Sequence, residues 1–339
     1  MQENQGTVNR RVLLSRRPVG IPQASDFVVD SAPVPKAGPG QVVVRNEWLS
    51  VEPAMRGWVN AAQNYSDPVP IGAVMRAFAA GRIVESHCDQ WPVGVPVTGM
   101  FGWQEYALLD PKAIKRRIEE DDLPLSTSLG VLGLNGVTAH YGIFHVLKPL
   151  AGQTVVVSTA AGSVGSCAGQ IAKILGCRTV GITGGEAKVR LCTDHFGFDV
   201  ALDYKSKDFE QHLAQACPDG VDAYFDCTSG PVTDAVMQHL AIGARVAVCG
   251  TVSIPNWDPP PLGPRMERTL LVKRARIEGF VILDHADKDA SARADLANWI
   301  RQGKLKYLED ISEGIESAPD SIAGLYRGEN MGKRLIRLV

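Results

Sequence analysis

Residues 154–165 read Thr-Val-Val-Val-Ser-Thr-Ala-Ala-Gly-Ser-Val-Gly, and no other stretch narrows the possible folds as much. A β-branched apolar run leads straight into Ala160-x-Gly162-x-x-Gly165. A helical pattern follows over 166–175, and Gly176 supplies its stop. In such a turn Gly162 lets the backbone approach a pyrophosphate, and Gly165 lets the helix pack closely on the strand. The unpaired N–H groups around Ser163 and Val164, with the positive end of the helix dipole, favour phosphate. Ala160 stands where the commonest fingerprint has its first glycine. A bare glycine pattern fits a tight turn equally well; the strand before, the helix after and a second strand at 178–182 decide for a dinucleotide seat.

The rest of the chain supports that reading. From about residue 125, short β-branched runs at 154–158, 178–182, 200–203, 223–226, 244–249 and 277–282 alternate with helical patterns. Strict alternation predicts an α/β fold with a Rossmann-type, doubly wound parallel sheet. The first third differs: it shows short runs at 26–30, 41–49, 81–85, 96–102 and 105–109 between breaker-rich turns, which predicts a β-rich domain. A chain of 339 residues is long for one core. We therefore expect a β-rich domain over 1–127, completed by the strand-like tail at 308–339, and a dinucleotide-binding domain over 128–307. The loop 254–264 carries five prolines and should be stiff and extended.

Several classes are disfavoured. A net charge of -2 gives no reason to expect a nucleic acid or a membrane surface as partner. The basic run 112–117 is followed at once by acidic residues, which predicts a solvated stretch. No apolar run reaches the roughly 18 residues of a membrane span. Residues 1–17 are polar and basic without an apolar centre, so no secretory signal is expected. Seven cysteines, an odd number with no C-x-x-C pair, fit a reducing cytoplasmic setting. None of the seven histidines stands in a metal-ligand pattern with a cysteine. His140 and His145 lie five apart in a helical stretch and read as packing or surface residues. A Tyr-x-x-x-Lys pair is also missing after the glycine motif. The second strand ends in Thr183-Gly184-Gly185, where an NAD enzyme usually places a carboxylate for the ribose; the space and Lys188 favour the extra phosphate of NADPH. Glu186 is the contrary feature, and the spacing of Lys188 alone fits an ordinary surface lysine as well.

The whole chain resembles the zinc-free medium-chain reductases, the group of prostaglandin reductase, plant alkenal double-bond reductases and bacterial curcumin reductase. The resemblance rests on Leu49-Ser-Val-Glu-Pro-Ala-Met-Arg-Gly57, Gly102-Trp-Gln-Glu-Tyr106, Gly136-Val-Thr-Ala-His-Tyr-Gly142 and the Ala160–Gly165 motif. It rests also on Gly197-Phe-Asp-Val200 with Asp203-Tyr-Lys205, on Cys249-Gly250, and on Gly328-Glu-Asn-Met-Gly-Lys333. It implies a GroES-like first domain and NADPH. Lys188 and Tyr204 match contacts to the adenosine phosphate end, and Asn330 matches an asparagine near the nicotinamide, whose ring would be lined by Phe280, Val281 and Ile282. The implied chemistry is reduction of a C=C bond conjugated to a carbonyl, and relatives usually pair as homodimers.

Three positions depart from the family. Ala54, before Met55 and Arg56, stands for a pocket tyrosine. Pro255 stands for the tyrosine generally proposed to hydrogen-bond the enolate oxygen. Cys227 stands for a cofactor-contacting asparagine. The pocket should be wider and poorer in donors, which favours a bulky or aromatic enone and leaves Tyr65, unless it only covers the cleft, as the first candidate donor to the oxyanion and the NADPH ribose hydroxyl as the other. Trp58 and Trp257 would flank the substrate or sit in the core. Two other readings remain: a zinc-free carbonyl or alcohol oxidoreductase, and a catalytically silent NADPH-binding protein.

Overall fold

The computed structural model describes residues 8–61, 65–254, 259 and 261–339. Its contacts divide the chain into two compact units, Met1–Gly130 with Glu309–Val339, and Val131–Leu308. In chain order the strands are β1 (Val8–Leu14), β2 (Phe27–Pro33), β3 (Val42–Ser50), β4 (Ala79–Ser86), β5 (Pro96–Gly99), β6 (Tyr106–Leu109) and β7 (Ile114–Arg117). Then come β8 (Thr154–Ser158), β9 (Arg178–Thr183), β10 (Val200–Asp203), β11 (Val221–Asp226), β12 (Leu240–Val248), β13 (Arg276–Gly279), β14 (Glu309–Glu313) and β15 (Lys333–Arg337).

In the first unit, β1 and β2 pair as an antiparallel ribbon, and the larger sheet runs β14-β15-β3-β4-β5-β7, with β6 also on β3. The strand near the C-terminus, β15, lies between β14 and β3, parallel to one and antiparallel to the other. These strands supply the core, among them Val42, Val44, Leu49, Ile83, Val97, Leu335 and Ile336, all essentially buried.

Three expectations need correction here. The N-terminal segment, read as merely polar, contains β1: its sequence Val-Asn-Arg-Arg-Val-Leu-Leu buries Asn9, Val12 and Leu14. The charged run at 112–117 is not simply solvated. It contains β7, which buries Ile114 and leaves its long cations at the rim, with Arg116 bound to Glu120 at 2.8 Å. The tail is not all strand, because the helix Ala318–Arg327 intervenes. It carries a proline at its second position, ends on Gly328 at φ 72° and buries Ile322 and Ala323.

The second unit is one six-stranded, wholly parallel sheet in the order β10-β9-β8-β11-β12-β13. Counted within the unit this is 3-2-1-4-5-6, so the chain reverses its winding between β8 and β11. Helices separate successive strands, and the central strands read as continuous apolar runs because both faces are covered. One cluster on this sheet joins Val156, Val180, Leu213, Tyr224, Val236 and Leu240. The helix after β8 starts at Ser163, three residues earlier than the pattern suggested. The last strand stops at Gly279, and Phe280 leaves the ladder to turn its ring against Phe225 and Tyr141. No helix among the described residues is long and apolar enough to cross a membrane.

Candidate functional site

The residues singled out between 160 and 282 all follow the carboxyl end of a strand. Gly162, Ser163, Val164 and Gly165 follow β8; Gly184 and Lys188 follow β9; Tyr204 follows β10. Cys227 follows β11, Cys249 and Gly250 follow β12, and Phe280, Val281 and Ile282 follow β13. Since the sheet is parallel, one edge collects them, and the winding reversal between β8 and β11 is where open α/β sheets leave a crevice.

Local chemistry explains the turn after β8. Thr159 sits at φ 53°, a conformation that costs a β-branched residue on the order of 1–3 kcal/mol and that the surroundings must impose. Gly162 opens the helix Ser163–Ile174 from an extended conformation, and no side chain caps it. The first-turn N–H groups of this helix of 12 residues are therefore available to an anion. A Cβ on Gly165 would stand 2.3 Å from the Thr159 carbonyl oxygen, so the helix seats on the turn only through glycine. These features fit a dinucleotide pyrophosphate.

After β9, a Cβ on Gly184 would meet the Tyr204 ring at 2.8 Å, so the turn lies against that exposed tyrosine. Lys205 reaches over the same ring at 5.9 Å. Lys188 lies half-buried in the short helix Glu186–Arg190, and Glu186 is paired with Arg190 one turn on. Space, an aromatic face and two lysines fit an adenosine carrying an extra phosphate.

Asp226, which sequence reasoning missed, organises the turn after β11. This carboxylate is 1% exposed. It accepts from the Tyr224 hydroxyl at 3.1 Å, from the Thr228 and Ser229 N–H groups at 2.9 and 2.8 Å, and from the Thr233 hydroxyl at 2.7 Å. Its carbonyl receives the Cys249 and Gly250 N–H groups. Burial beside Asp226 pushes the Tyr224 phenol well up, so it stays a donor. Ser158, at the end of β8, accepts from the Cys227 N–H at 2.8 Å and so pins the turn after β11 to the turn after β8. Ser229 takes φ 59°, a second strained residue on this edge. The only signal in the sequence was an acidic residue closing an apolar strand. Cys227 and Cys249 are both half-buried, and the hydrogen bond to Cys249, then burial, holds the Cys227 thiol well above its ordinary range.

The first unit holds the remaining candidates. Ala54 precedes the short helix Met55–Val59. Met55 and Trp58 are buried in the unit's core, so neither offers a free face there. Arg56 stacks over the Tyr326 ring at 5.3 Å, and the Tyr326 hydroxyl donates to the Pro53 carbonyl at 3.1 Å. Tyr65 is 53% exposed, and burial raises the Tyr326 phenol while Arg56 opposes the rise. Asn330 donates its amide to the Gly332 carbonyl at 2.9 Å, within its own turn. Below these groups lies a buried ion pair. The Lys333 ammonium donates to Glu52 at 2.7 Å and to the Val51 carbonyl at 2.8 Å, and Ser50 donates to Glu52 at 2.6 Å. Burial pulls Lys333 below its usual range while Glu52 opposes the fall. The pair ties the Pro53–Arg56 segment to the Asn330 turn. Pro255 and Trp257 lie outside the described residues. Among the described residues, no group of three or more His, Cys, Asp or Glu could hold a metal ion.

Comparison with known proteins shows the family. Residues 10–116 match a family described as the N-terminal domain of oxidoreductase, and residues 163–298 match one described as zinc-binding dehydrogenase. The chain is 40% identical over 335 residues to the NADPH-dependent curcumin reductase of Escherichia coli, with 97% of each chain covered. It is 35% identical over 333 residues to the NADP-dependent 2-alkenal reductase of Nicotiana tabacum, again over 97% of each. The crystal structure of CurA in complex with NADPH from Vibrio vulnificus superposes with a TM-score of 0.92 at 38% identity, covering 97% of this chain and 99% of the other.

Proposed function

Starting from the fact that this chain belongs to the zinc-free medium-chain dehydrogenase/reductase family, we propose that it reduces the C=C bond of α,β-unsaturated ketones or aldehydes, bulky or aromatic enones above all. The carrying observation is the single sheet edge on which the turns after all six parallel strands gather around the winding reversal. NADPH is the cofactor. Bound there, it supplies the hydride that the substrate's β-carbon receives.

The chain's own groups take the remaining roles. The Gly162–Gly165 turn and its uncapped helix hold the pyrophosphate. Gly184, Lys188 and Tyr204 hold the adenosine phosphate. Cys227, Cys249, Gly250, Phe280, Val281, Ile282 and Asn330 orient the nicotinamide end. Tyr65 donates to the carbonyl oxygen as negative charge develops on it, and water protonates the α-carbon. Ala54, in place of the family's tyrosine, leaves room for a wide substrate beside Arg56. The working form is a cytoplasmic homodimer.

The test is turnover of purified protein with NADPH on small and bulky enones, with products identified by mass. Saturated ketones from the bulky members are expected. Allylic alcohols, or no turnover despite NADPH binding, would overturn the proposal. Tyr65→Phe should lower kcat by about 10²–10³-fold if its hydroxyl meets the oxyanion. Unchanged kcat would remove Tyr65 from that role.

A further inference from the structure

The turns after β11 and β12 bring two sulfurs together. In the parallel ladder of β11 on β12, the last registered pair is Asp226 with Val248, so Cys227 and Cys249 are the next residues in register. The ladder geometry persists past the strands, because the Cys249 N–H donates to the Asp226 carbonyl at 2.8 Å. A Cβ placed on Gly250 would lie 3.7 Å from the Cys227 Cα, which shows how close the two backbones run. Neighbouring strands lie about 4.8 Å apart, and a disulfide accepts Cα separations of roughly 4.4–6.8 Å. Cys249 is also the first neighbour that holds the Cys227 thiol above its ordinary range.

The other cysteines differ. Cys167, Cys177, Cys192 and Cys217 are buried. They are closed off from solvent, and that burial pushes the thiols of Cys167 and Cys192 up to about 12 and that of Cys217 to about 11. Cys88 is half-buried and belongs to the other unit. Cys227 and Cys249 are half-buried, adjacent and fixed: Ser158 holds the N–H of the first and Asp226 that of the second.

We propose that Cys227 and Cys249 form an oxidisable dithiol on the sheet edge, converted by peroxide into an intramolecular disulfide. The Cys249 sulfur attacks the peroxide; an S–O bond forms, the O–O bond breaks, and the thiol proton leaves with the departing oxygen as water. Cys227, whose thiol Cys249, burial and the Asp226 charge hold above its ordinary range, acts as the resolving thiol. Its sulfur attacks the sulfenic acid; the S–S bond forms, the S–O bond breaks, and a second water leaves with the Cys227 proton. Two thiols give up two electrons and one peroxide takes them. A dinucleotide on this edge shields the pair, a consequence that rests on the functional proposal, whereas the disulfide itself does not.

Hydrogen peroxide treatment of the purified full chain, with and without saturating NADP⁺, followed by alkylation and peptide mapping, tests this. The expected product is one cross-linked peptide joining Cys227 to Cys249, lighter by two hydrogens and restored by dithiothreitol, forming several-fold more slowly with NADP⁺. Cys227→Ser should abolish the cross-link and leave a dimedone-reactive Cys249. If both thiols alkylate as in untreated protein, or the bridge joins other cysteines, the dithiol is wrong. If the cross-link forms at the same rate with NADP⁺ bound, the dithiol stands and its placement at the dinucleotide seat falls.

Discussion

Lys333 carries its charge into a place with almost no water, and its partner Glu52 does the same; both side chains are 5% exposed. Such a pair stabilises little by itself, but removing one partner strands the other. Lys333→Met should therefore destabilise the first unit by about 3–5 kcal/mol, read from denaturant midpoints, and Glu52→Gln added to it should recover part of that loss. A loss within error would show that Glu52 finds another partner. Gly165 is a residue of the opposite kind, chosen for what it lacks. With a carbonyl oxygen 2.3 Å from where a Cβ would sit, Gly165→Ala must shift the helix or the turn. It should cost about 1–3 kcal/mol as an overpacking change and weaken NADPH binding, measured by calorimetry; unaltered binding would dissociate the turn from the phosphate. The role of Gly165 was legible in the sequence because glycine spacing is a local signal. The roles of Glu52 and Lys333 were not, since nothing along the chain says that residues so far apart share a buried site.

Among elements, the stretch from Leu134 shows what periodicity conceals. The helix Leu134–Tyr141 passes directly into a π-helical turn, Gly142–Leu147, which re-aims the side chains that follow. Spacing alone put His140 and His145 on different faces. In the structure His140 stacks on Phe144 at 4.4 Å and binds Asp295 at 3.0 Å, while His145 stacks on Tyr141 at 4.9 Å. Burial lowers the pKa of both imidazoles, with Asp295 partly opposing it at His140. Below the ordinary value of 6.5 the unfolded chain takes up protons that the folded histidines refuse, so stability is present above that pH and is lost as pH falls through it. Denaturant midpoints should drop on the acid side of 6.5, and His140→Phe should flatten that drop. An equally steep fall in the variant would place the acid sensitivity elsewhere. The unbroken apolar run of β8 and the glycine turn behind it were readable, and so was the helix that follows, apart from its first three residues. Strand β7 was not, because only Ile114 marks its inner face and the surrounding charges mask the period.

For the whole molecule, the order of strands decides which edges are exposed, and no sequence pattern gave that order. The alternation implied a parallel sheet; it did not say that β10 and β13 would be its ends. The β10 edge runs into Tyr204 and Lys205, at the proposed adenosine phosphate seat. The β13 edge is the better candidate for self-association: Arg276-Ile-Glu-Gly279 has a strand partner on one side only, contains no proline, and follows a helix carrying exposed Leu271 and Val272. A two-fold axis through Ile277 would pair two copies of β13 antiparallel, with Arg276 of one copy opposite Glu278 of the other and the two Ile277 residues facing. Opposite charges across such a pair contribute roughly 0.2–1 kcal/mol each, and the symmetry supplies the pair twice. Glu278→Lys turns both attractions into repulsions without touching the core, since Glu278 is exposed. The wild-type chain should sediment as a dimer and the variant as a folded monomer. A wild-type monomer removes the dimer altogether, and a variant that stays dimeric moves the interface away from β13.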